Sequence, residues 1–182
     1  MAVSPHVIST VRCFLVKMSN VYFNLCFRLD ARDAHLIWFS GEPNGVIVEA
    51  DGKVPCFLNE KDLLGYAASL KLSVETVEPD LHDLDFISSW LKIEKDESVD
   101  CKIFLAAWNL FDDVSHSVGG NFDVARKKTN NIYEKLFWGN NLAVITPEGK
   151  SYTPIWTKRE LKIMREVLSV GLSLFREKTT CV

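Results

Sequence analysis

One stretch of the chain constrains its fold more than any other, the apolar segment from Ser98 to Val118 with the sequence SVDCKIFLAAWNLFDDVSHSV. Apolar side chains recur along it at three- and four-residue steps, which is the spacing of one helical face. Leu105 and Ala106 widen the apolar stripe beyond that of a surface helix. The pattern therefore predicts a central helix that other elements cover on more than one side.

The ends of this helix are also marked in the sequence. Ser98 or Asp96 can cap its N-terminus, and Asp100 is favourably placed in the first turn. Gly119-Gly120 supplies residues that tolerate the left-handed backbone of a helix stop. We therefore expect the helix to fill this whole segment.

The residues before the central helix predict a sheet. Four runs are rich in aromatic or β-branched side chains and alternate in polarity: Val21–Leu29, His35–Ser40, Val46–Glu49 and Val54–Leu58. Residues 41–45 form a turn sequence, and Asp51-Gly52 is a strong signal for a two-residue hairpin loop. We therefore expect an antiparallel meander, to which Val74–Val77 could add a fifth strand.

Helical periodicity recurs on both sides of the central helix. The segment 59–71 begins with a capping asparagine, and the segment 80–93 has apolar residues on one face and acids on the other. A short amphipathic helix is expected at Asn130–Trp138, after irregular residues at 121–128. These helices would cover the sheet.

The last part of the chain predicts a small hairpin followed by a long helix. Residues 142–146 and 151–155 flank a turn sequence, and Thr157 with Glu160 forms a capping box for a helix of roughly 20 residues. The whole pattern predicts an α+β fold in a single domain at 18–182. That domain has an N-terminal antiparallel meander of about four to five strands, three to four covering helices, and the hairpin before the C-terminal helix.

Cysteine usage and hydropathy bear on where the protein resides. The five cysteines are widely spaced and form no zinc module, so we interpret them as reduced thiols in a cytoplasmic protein. No stretch approaches the roughly 18 uninterrupted apolar residues of a membrane span, so we expect a soluble protein without a membrane partner. Residues 1–17 are expected to be a peripheral extension, although they could pass for a weak signal peptide, and Met18 could equally be the natural start.

Charge is divided unevenly along the chain. The net charge is -3, yet residues 73–100 hold nine acids against two lysines. Such a cluster repels phosphate backbones and attracts cationic partners. Eight of the acids are candidate partner-binding residues: Glu75, Glu78, Asp80, Asp83, Asp85, Glu94, Asp96 and Glu97. A solvated helix face is the plainer interpretation of the same charges.

The best candidate for catalytic chemistry lies on the central helix. Asp112 and His116 are four residues apart, with Asp113 beside them, so a carboxylate and an imidazole share one helical face. They could bind a metal or share a proton if His82 and its neighbouring acids supplied further ligands. A surface pair is the plainer interpretation, and the GxSxG, GxGxxG, GxxxxGK[ST] and HExxH motifs are absent. We therefore expect no catalytic residue, metal or cofactor.

A basic run offers a third class of function. Residues 126–128 and Lys135 could contact nucleic acid, and Phe122 and Tyr133 could stack on bases. A solvated loop and core aromatics explain the same residues more plainly, and the acidic segment would oppose a phosphate backbone. We expect no nucleic-acid partner.

Four segments in the C-terminal half carry a resemblance: WNLFDDVSHS at 108–117, IYEKLFWGNNL at 132–142, TPEGKSYTPIW at 146–156 and MREVLSVGLSLFR at 164–176. They resemble bacterial immunity proteins that accompany contact-dependent growth inhibition toxins and other polymorphic toxins. The resemblance implies a protein made beside its toxin, which binds the toxin's C-terminal domain and covers its active site or substrate groove. It transfers no individual binding residue.

The resemblance and the charge division lead to one expectation. Many such toxins are nucleases, which need basic surfaces, so the acidic segment 73–100 would complement a cationic groove. The sequence therefore predicts an immunity protein, not an enzyme, whose partner is a cognate toxin domain. The alternative is a small metal-dependent enzyme that uses Asp112, Asp113 and His116.

Overall fold

The computed structural model describes residues 20–93, 98–122 and 126–181, so the expected extension at 1–17 lies outside the described part. Within these ranges seven strands form: β1 (Val21–Leu29), β2 (Arg32–Ser40), β3 (Gly45–Val46), β4 (Val54–Cys56), β5 (Val74–Glu75), β6 (Leu81–Asp83) and β7 (Thr179–Cys181). The same ranges contain five helices: α1 (Glu60–Ser69), α2 (Leu84–Lys92), α3 (Cys101–Ser117), α4 (Arg126–Gly139) and α5 (Lys158–Lys178).

Strand β1 is at the centre of the main sheet. It pairs antiparallel with β2 from Val21 opposite Ser40 to Leu29 opposite Arg32, and β3 pairs antiparallel with β2. Along its other edge, β1 pairs in parallel first with β5 and further along with β6. The segment that contains β5 and β6 therefore forms one edge of the sheet.

The expected antiparallel meander is correct for β1 to β3 and wrong for the later strands. The chain reaches β5 only after α1, and such a crossover connection delivers a parallel strand. Strand β4 leaves the main sheet and pairs in parallel with β7, although one bridge between His35 and Phe57 keeps it beside β2. Strand β3 ends at Val46 because Glu49 bonds instead within the following turn, to the backbone of Lys53.

Two carboxylates set helix starts that differ from the expected ones. Asp83 accepts the backbone N–H of Phe86 at 2.9 Å, so residues expected to be helical form β6 and the helix begins only at Leu84. Asp100 caps α3 by accepting the backbone N–H groups of Lys102 and Ile103, at 3.0 and 3.1 Å. Ser98 is therefore not the N-cap, and Asp96 lies outside the described residues.

The hairpin expected at 142–155 does not form. The side chain of Asn141 accepts the N–H of Tyr152 at 2.7 Å and donates to its carbonyl at 3.0 Å, which replaces a ladder of backbone bonds. Helix α4 also begins earlier than expected, at Arg126. The capping box of Thr157 and Glu160 before α5 is confirmed.

The central position of α3 is confirmed. It packs against α2, α4 and α5 and against β3 and β6. Helix α5 approaches it closely at Gly171, where a Cβ atom would overlap the ring of Phe111 and lie 2.6 Å from the ring of Phe122. The α+β class, the N-terminal sheet and the long C-terminal helix are likewise confirmed. Within the described residues, no helix is long and apolar enough to cross a membrane.

Candidate binding groove

A large cavity lies along one face of α3. Lys102, Ala106, Asn109 and Asp113 recur at four- and three-residue steps and form a stripe that the other helices leave open. The stripe is one side of a groove with a volume of about 660 Å³. The helix at the centre of the core therefore also forms one wall of the groove.

Four other parts of the chain complete the walls of the groove. The first is β1, the second is β2, the third is β6 with the residue before it, and the fourth is α4 with the residues after it; α3 also contributes side chains beyond the stripe. These lining residues are Leu25, Trp38, Asp80, Leu81, His82, Asp83, Ile103, Leu105, Leu110, Tyr133, Phe137, Asn140 and Leu142. Most of these are aliphatic or aromatic. Such a predominantly apolar cleft with a few polar groups is typical of a binding site.

Asp113 is a partly buried carboxylate within the groove. The indole Nε1 of Trp38 donates a hydrogen bond to its Oδ2 at 2.7 Å, which fixes both side chains across the groove. Burial raises the pKa of Asp113, and the nearby Asp112 raises it further, while the Trp38 bond opposes the shift. The carboxylate is therefore held in a less polar environment than a surface aspartate.

The rim formed by β6 and the residue before it is acidic. Asp80 is exposed at this rim, and Asp83 follows it at the start of α2. His82, which lies between them, contacts the carbonyl of Asp80 through Nδ1 at 3.3 Å. Burial lowers the pKa of His82, so its imidazole stays neutral near neutral pH and does not offset the carboxylates. Lys102 is the one basic residue that lines the described groove.

Two of the eight candidate partner-binding acids have internal contacts. Asp83 caps α2, as described above. Asp85 accepts the backbone N–H groups of Asp30 and Ala31 at 2.8 and 2.7 Å, and so stabilises the turn between β1 and β2. Both turn residues have positive φ angles, 54° and 58°, which makes this support necessary. Substitutions at Asp83 or Asp85 would therefore change stability as well as surface charge.

The other candidate acids divide into exposed ones and undescribed ones. Glu75, Glu78 and Asp80 are exposed along the sheet edge formed by β5, β6 and the residues between them. Charged side chains at such an edge also discourage pairing with another sheet. Glu94, Asp96 and Glu97 lie outside the described residues. Of the described candidates, Asp80 and Asp83 line the groove.

The group considered as the alternative catalytic site, Asp112, Asp113 and His116, does not converge on one point. His116 Nδ1 lies 3.1 Å from the carbonyl oxygen and 3.6 Å from the Oδ1 of Asp112, whereas Asp113 turns into the groove toward Trp38. In the part of the chain that the structure describes, no three His, Cys, Asp or Glu side chains are placed to hold a metal ion. The arrangement corresponds to a helix-surface pair and a separate groove carboxylate.

Three of the residues considered for nucleic-acid contact, Phe122, Tyr133 and Lys135, have other contacts, while the side chains of Arg126 and Lys127 lie outside the described residues. Lys135 donates to Glu160 at 2.7 Å and to the carbonyl of Ile155 at 2.9 Å. Phe122 is 5% exposed and packs edge-on against Trp108, so its ring is not accessible to a base. Tyr133 donates its hydroxyl to Asn109 at 2.8 Å at the side of the groove.

The loop that follows the groove carries exposed apolar side chains. Leu142 lines the groove and begins the loop that replaces the expected hairpin. Within this loop Val144 is 96% exposed and Ile155 is 84% exposed.

Sequence reasoning missed the groove itself. Trp38 and Tyr133 were interpreted as strand and core aromatics, and Leu81 as the buried face of a helix. The available signal was the width of the apolar stripe on α3 at Leu105 and Ala106, both of which line the groove. The width of the stripe does not indicate which side of α3 the other elements leave uncovered.

Comparisons with known proteins bear on the fold. No family model matches the sequence, and no curated protein matches it. Among solved structures, the chain is similar to the C-terminal domain of SatS in its crystal structure in complex with bromine. The TM-score is 0.56 and the sequence identity 10%, over 88% of this chain and 94% of the SatS chain. At that identity the similarity shows a shared fold alone.

Proposed function

We propose that this protein is an immunity protein that binds and neutralises a cognate toxin domain. The observation that carries the proposal is the groove along α3, which combines apolar walls with an acidic rim. We assign to it one occupant, a cationic segment of the toxin that also bears an apolar or aromatic side chain. The resemblance of residues 108–176 to immunity proteins supports the same function.

The chemistry of the groove favours such an occupant. Leu81, Leu105 and Phe137 offer apolar contact area, and the centre of a protein interface gains most of its binding energy from burying such surface. Asp80, Asp83 and Asp113 contribute carboxylates against the single Lys102. An arginine or lysine next to an apolar anchor would therefore meet complementary groups, whereas an anionic ligand would be repelled.

The wider charge distribution would speed the encounter. Glu75 and Glu78 are exposed on the same sheet edge as Asp80, and the segment 73–100 has nine acids against two lysines, whereas the net charge of the whole chain is only -3. A field of one sign around a binding site steers an oppositely charged protein toward it, and the effect weakens as salt is added. A basic nuclease domain is the class of toxin that fits this surface, because it must itself attract phosphate.

The proposal is tested with the toxin domain encoded by the neighbouring reading frame. Calorimetry is expected to give a Kd below about 1 μM, and co-expression is expected to restore growth of cells that produce the toxin. Asp80→Lys is expected to weaken binding by about tenfold or more, because it places a cation opposite the proposed cationic segment. Glu166→Lys makes the same charge change at an exposed position on α5 and is expected to bind as the wild type does.

Each contrary result has a definite meaning. Equal binding by the Asp80→Lys and Glu166→Lys variants would overturn the acidic rim as the docking site. Absence of binding, together with absence of protection in cells, would overturn the immunity function. Self-association that is lost in Asp80→Lys would instead identify a second copy of the chain as the occupant.

A further inference from the structure

Two cysteines face each other where β4 pairs with β7. These strands are parallel, and the register places Cys56 directly opposite Cys181. Neighbouring strands lie about 4.8 Å apart, which falls within the Cα separation of roughly 4.4 to 6.8 Å that a disulfide requires. Residues directly opposite each other project to the same face of a sheet. The backbone therefore holds the two thiols within bonding reach.

The two thiols differ in their access to solvent. Cys56 is fully buried, at 0% exposure, whereas Cys181 is exposed. Cys181 also lines a cavity of about 340 Å³ together with Arg32 and Arg176. The cavity gives a small reagent a route to Cys181, whereas the buried Cys56 does not line it.

The surroundings favour ionisation of the exposed thiol over the buried one. The Cys56 thiol donates a hydrogen bond to the Cys181 sulfur, and this bond, helped by the charge of Arg32, lowers the pKa of Cys181 to about 7 against the effect of burial. The same hydrogen bond and burial raise the pKa of Cys56. At neutral pH the pair therefore has a thiolate on the accessible side and a thiol on the buried side.

We propose that Cys181 and Cys56 form a redox-active pair, in which a hydroperoxide oxidises Cys181 and Cys56 then closes a disulfide between β7 and β4. In the first step the Cys181 thiolate attacks the terminal peroxide oxygen and the O–O bond breaks. The Cys181 sulfur keeps the terminal hydroxyl as a sulfenic acid, and the leaving alkoxide takes a proton from solvent to become an alcohol, or water when the reagent is hydrogen peroxide.

The second step uses only the two cysteines. The Cys56 sulfur attacks the sulfenic sulfur, the S–O bond breaks, the S–S bond forms and water leaves with the thiol proton. Over both steps the two thiols lose two electrons and two protons, and the hydroperoxide gains them. The product would join the end of α5 covalently to the strand that precedes α1.

Two other cysteines provide internal controls. Burial is the main cause that raises the pKa of Cys26 in β1 and of Cys101 at the start of α3. Neither of them lies opposite a second cysteine in the described strand pairings. They are expected to react slowly with a peroxide and to form no disulfide within the chain.

The test treats the reduced full chain with hydrogen peroxide near pH 7 and identifies the peptides without reduction. The expected product is a linked pair of peptides that contain Cys56 and Cys181, about 2 Da lighter than their sum. Cys181→Ser is expected to abolish it, and Cys26→Ser to retain it. Oxidation of Cys181 to its higher acids without the linked pair, or equal oxidation of Cys26 and Cys101, would overturn the proposal.

A second measurement does not depend on any variant folding. The alkylation rate of Cys181 by iodoacetamide is followed as a function of pH in the wild-type chain. The midpoint is expected near pH 7, and the rate there is expected to be about fourfold that of an unstructured cysteine peptide, after allowance for the lower nucleophilicity of a more acidic thiol. A midpoint at or above about 8.5 would contradict the proposed activation.

Discussion

The two faces of α3 differ in how completely other parts of the chain pack against them. On one face Phe111 packs against Phe175 of α5, and the missing side chain of Gly171 lets the two helices approach. On the other face Ala106 and Asp113 border an open groove. The first face leaves no space for an added methyl group, and the second leaves space for a side chain from another molecule.

The difference between the faces comes from what covers each of them. Helix α5 presents a continuous apolar face to α3, with Met164, Leu168 and Phe175 fully buried. The groove side is covered by β6, which is three residues long, and by α4, so the contact is incomplete. A rigid packed face therefore holds the open one in position, which is the arrangement that precise recognition requires.

The largest expected effect separates the two faces by stability. Phe111→Ala removes a fully buried ring and is expected to lower the free energy of unfolding by about 3 to 5 kcal/mol. Asn109→Ala on the groove face removes only the hydrogen bond from Tyr133 and is expected to cost less than about 1 kcal/mol. Urea denaturation measures the free energy of unfolding of both variants. Similar losses of stability would show that the two faces of α3 do not differ in packing.

A smaller effect tests the close approach of α5. Gly171→Ala is expected to cost about 1 to 2 kcal/mol, because overlap with Phe111 outweighs the gain of roughly 1 kcal/mol in helix propensity. Gly65→Ala is the matched control on α1, where an added Cβ meets nothing within 4 Å. It is expected to stabilise the protein by about 0.5 to 1 kcal/mol. A gain of stability at both positions would show that the helices are not in tight contact.

The smallest expected effect concerns the groove carboxylate. Because the pKa of Asp113 is raised in the folded protein, the folded state keeps its proton to higher pH than the unfolded chain does. Stability should therefore fall as the pH rises from near the unfolded value of 3.8 through the folded pKa, and remain reduced at neutral pH. Asp113→Asn keeps an acceptor for Trp38 without a charge, so it should be more stable than the wild type near pH 7.

The control for this effect is Glu78→Gln, which removes one charge from an exposed carboxylate on the sheet edge. Thermal unfolding across the pH range should show that Asp113→Asn changes the pH dependence of stability more than Glu78→Gln does. If the plot of stability against pH for Asp113→Asn remains parallel to that of the wild type, Asp113 is no more buried than a surface acid.

Local signals in the sequence predicted much of the fold. The period of α3, the capping box of Thr157 and Glu160, and the aromatic and β-branched residues of β1 depend on neighbours within a few residues, and the two helices and the strand that they predict are confirmed. The parallel pairing of β5 and β6, and that of β4 with β7, depends on contacts between distant parts of the chain. Local periodicity carries no information about such pairing.

The candidate site was also predictable only in part, because the sequence shows local features and does not show contacts between distant residues. The acidic segment is visible in composition, and Asp80 lies at the groove rim as a partner-binding residue would. Composition could not show that Asp85 supports the β1–β2 turn, because its partners, Asp30 and Ala31, are more than fifty residues away. Nor could it show that Trp38 and Asp113 meet across the groove, since 75 residues separate them.

The most direct test of the central claim fills the groove without altering its charge. Ala106→Phe places a ring in the cavity, at a position on α3 that lines it. If the groove holds the toxin segment, calorimetry with the neighbouring toxin domain should show affinity reduced by about tenfold or more, while urea denaturation gives stability within about 1 kcal/mol of the wild type. Unchanged affinity in a folded Ala106→Phe variant would contradict the account.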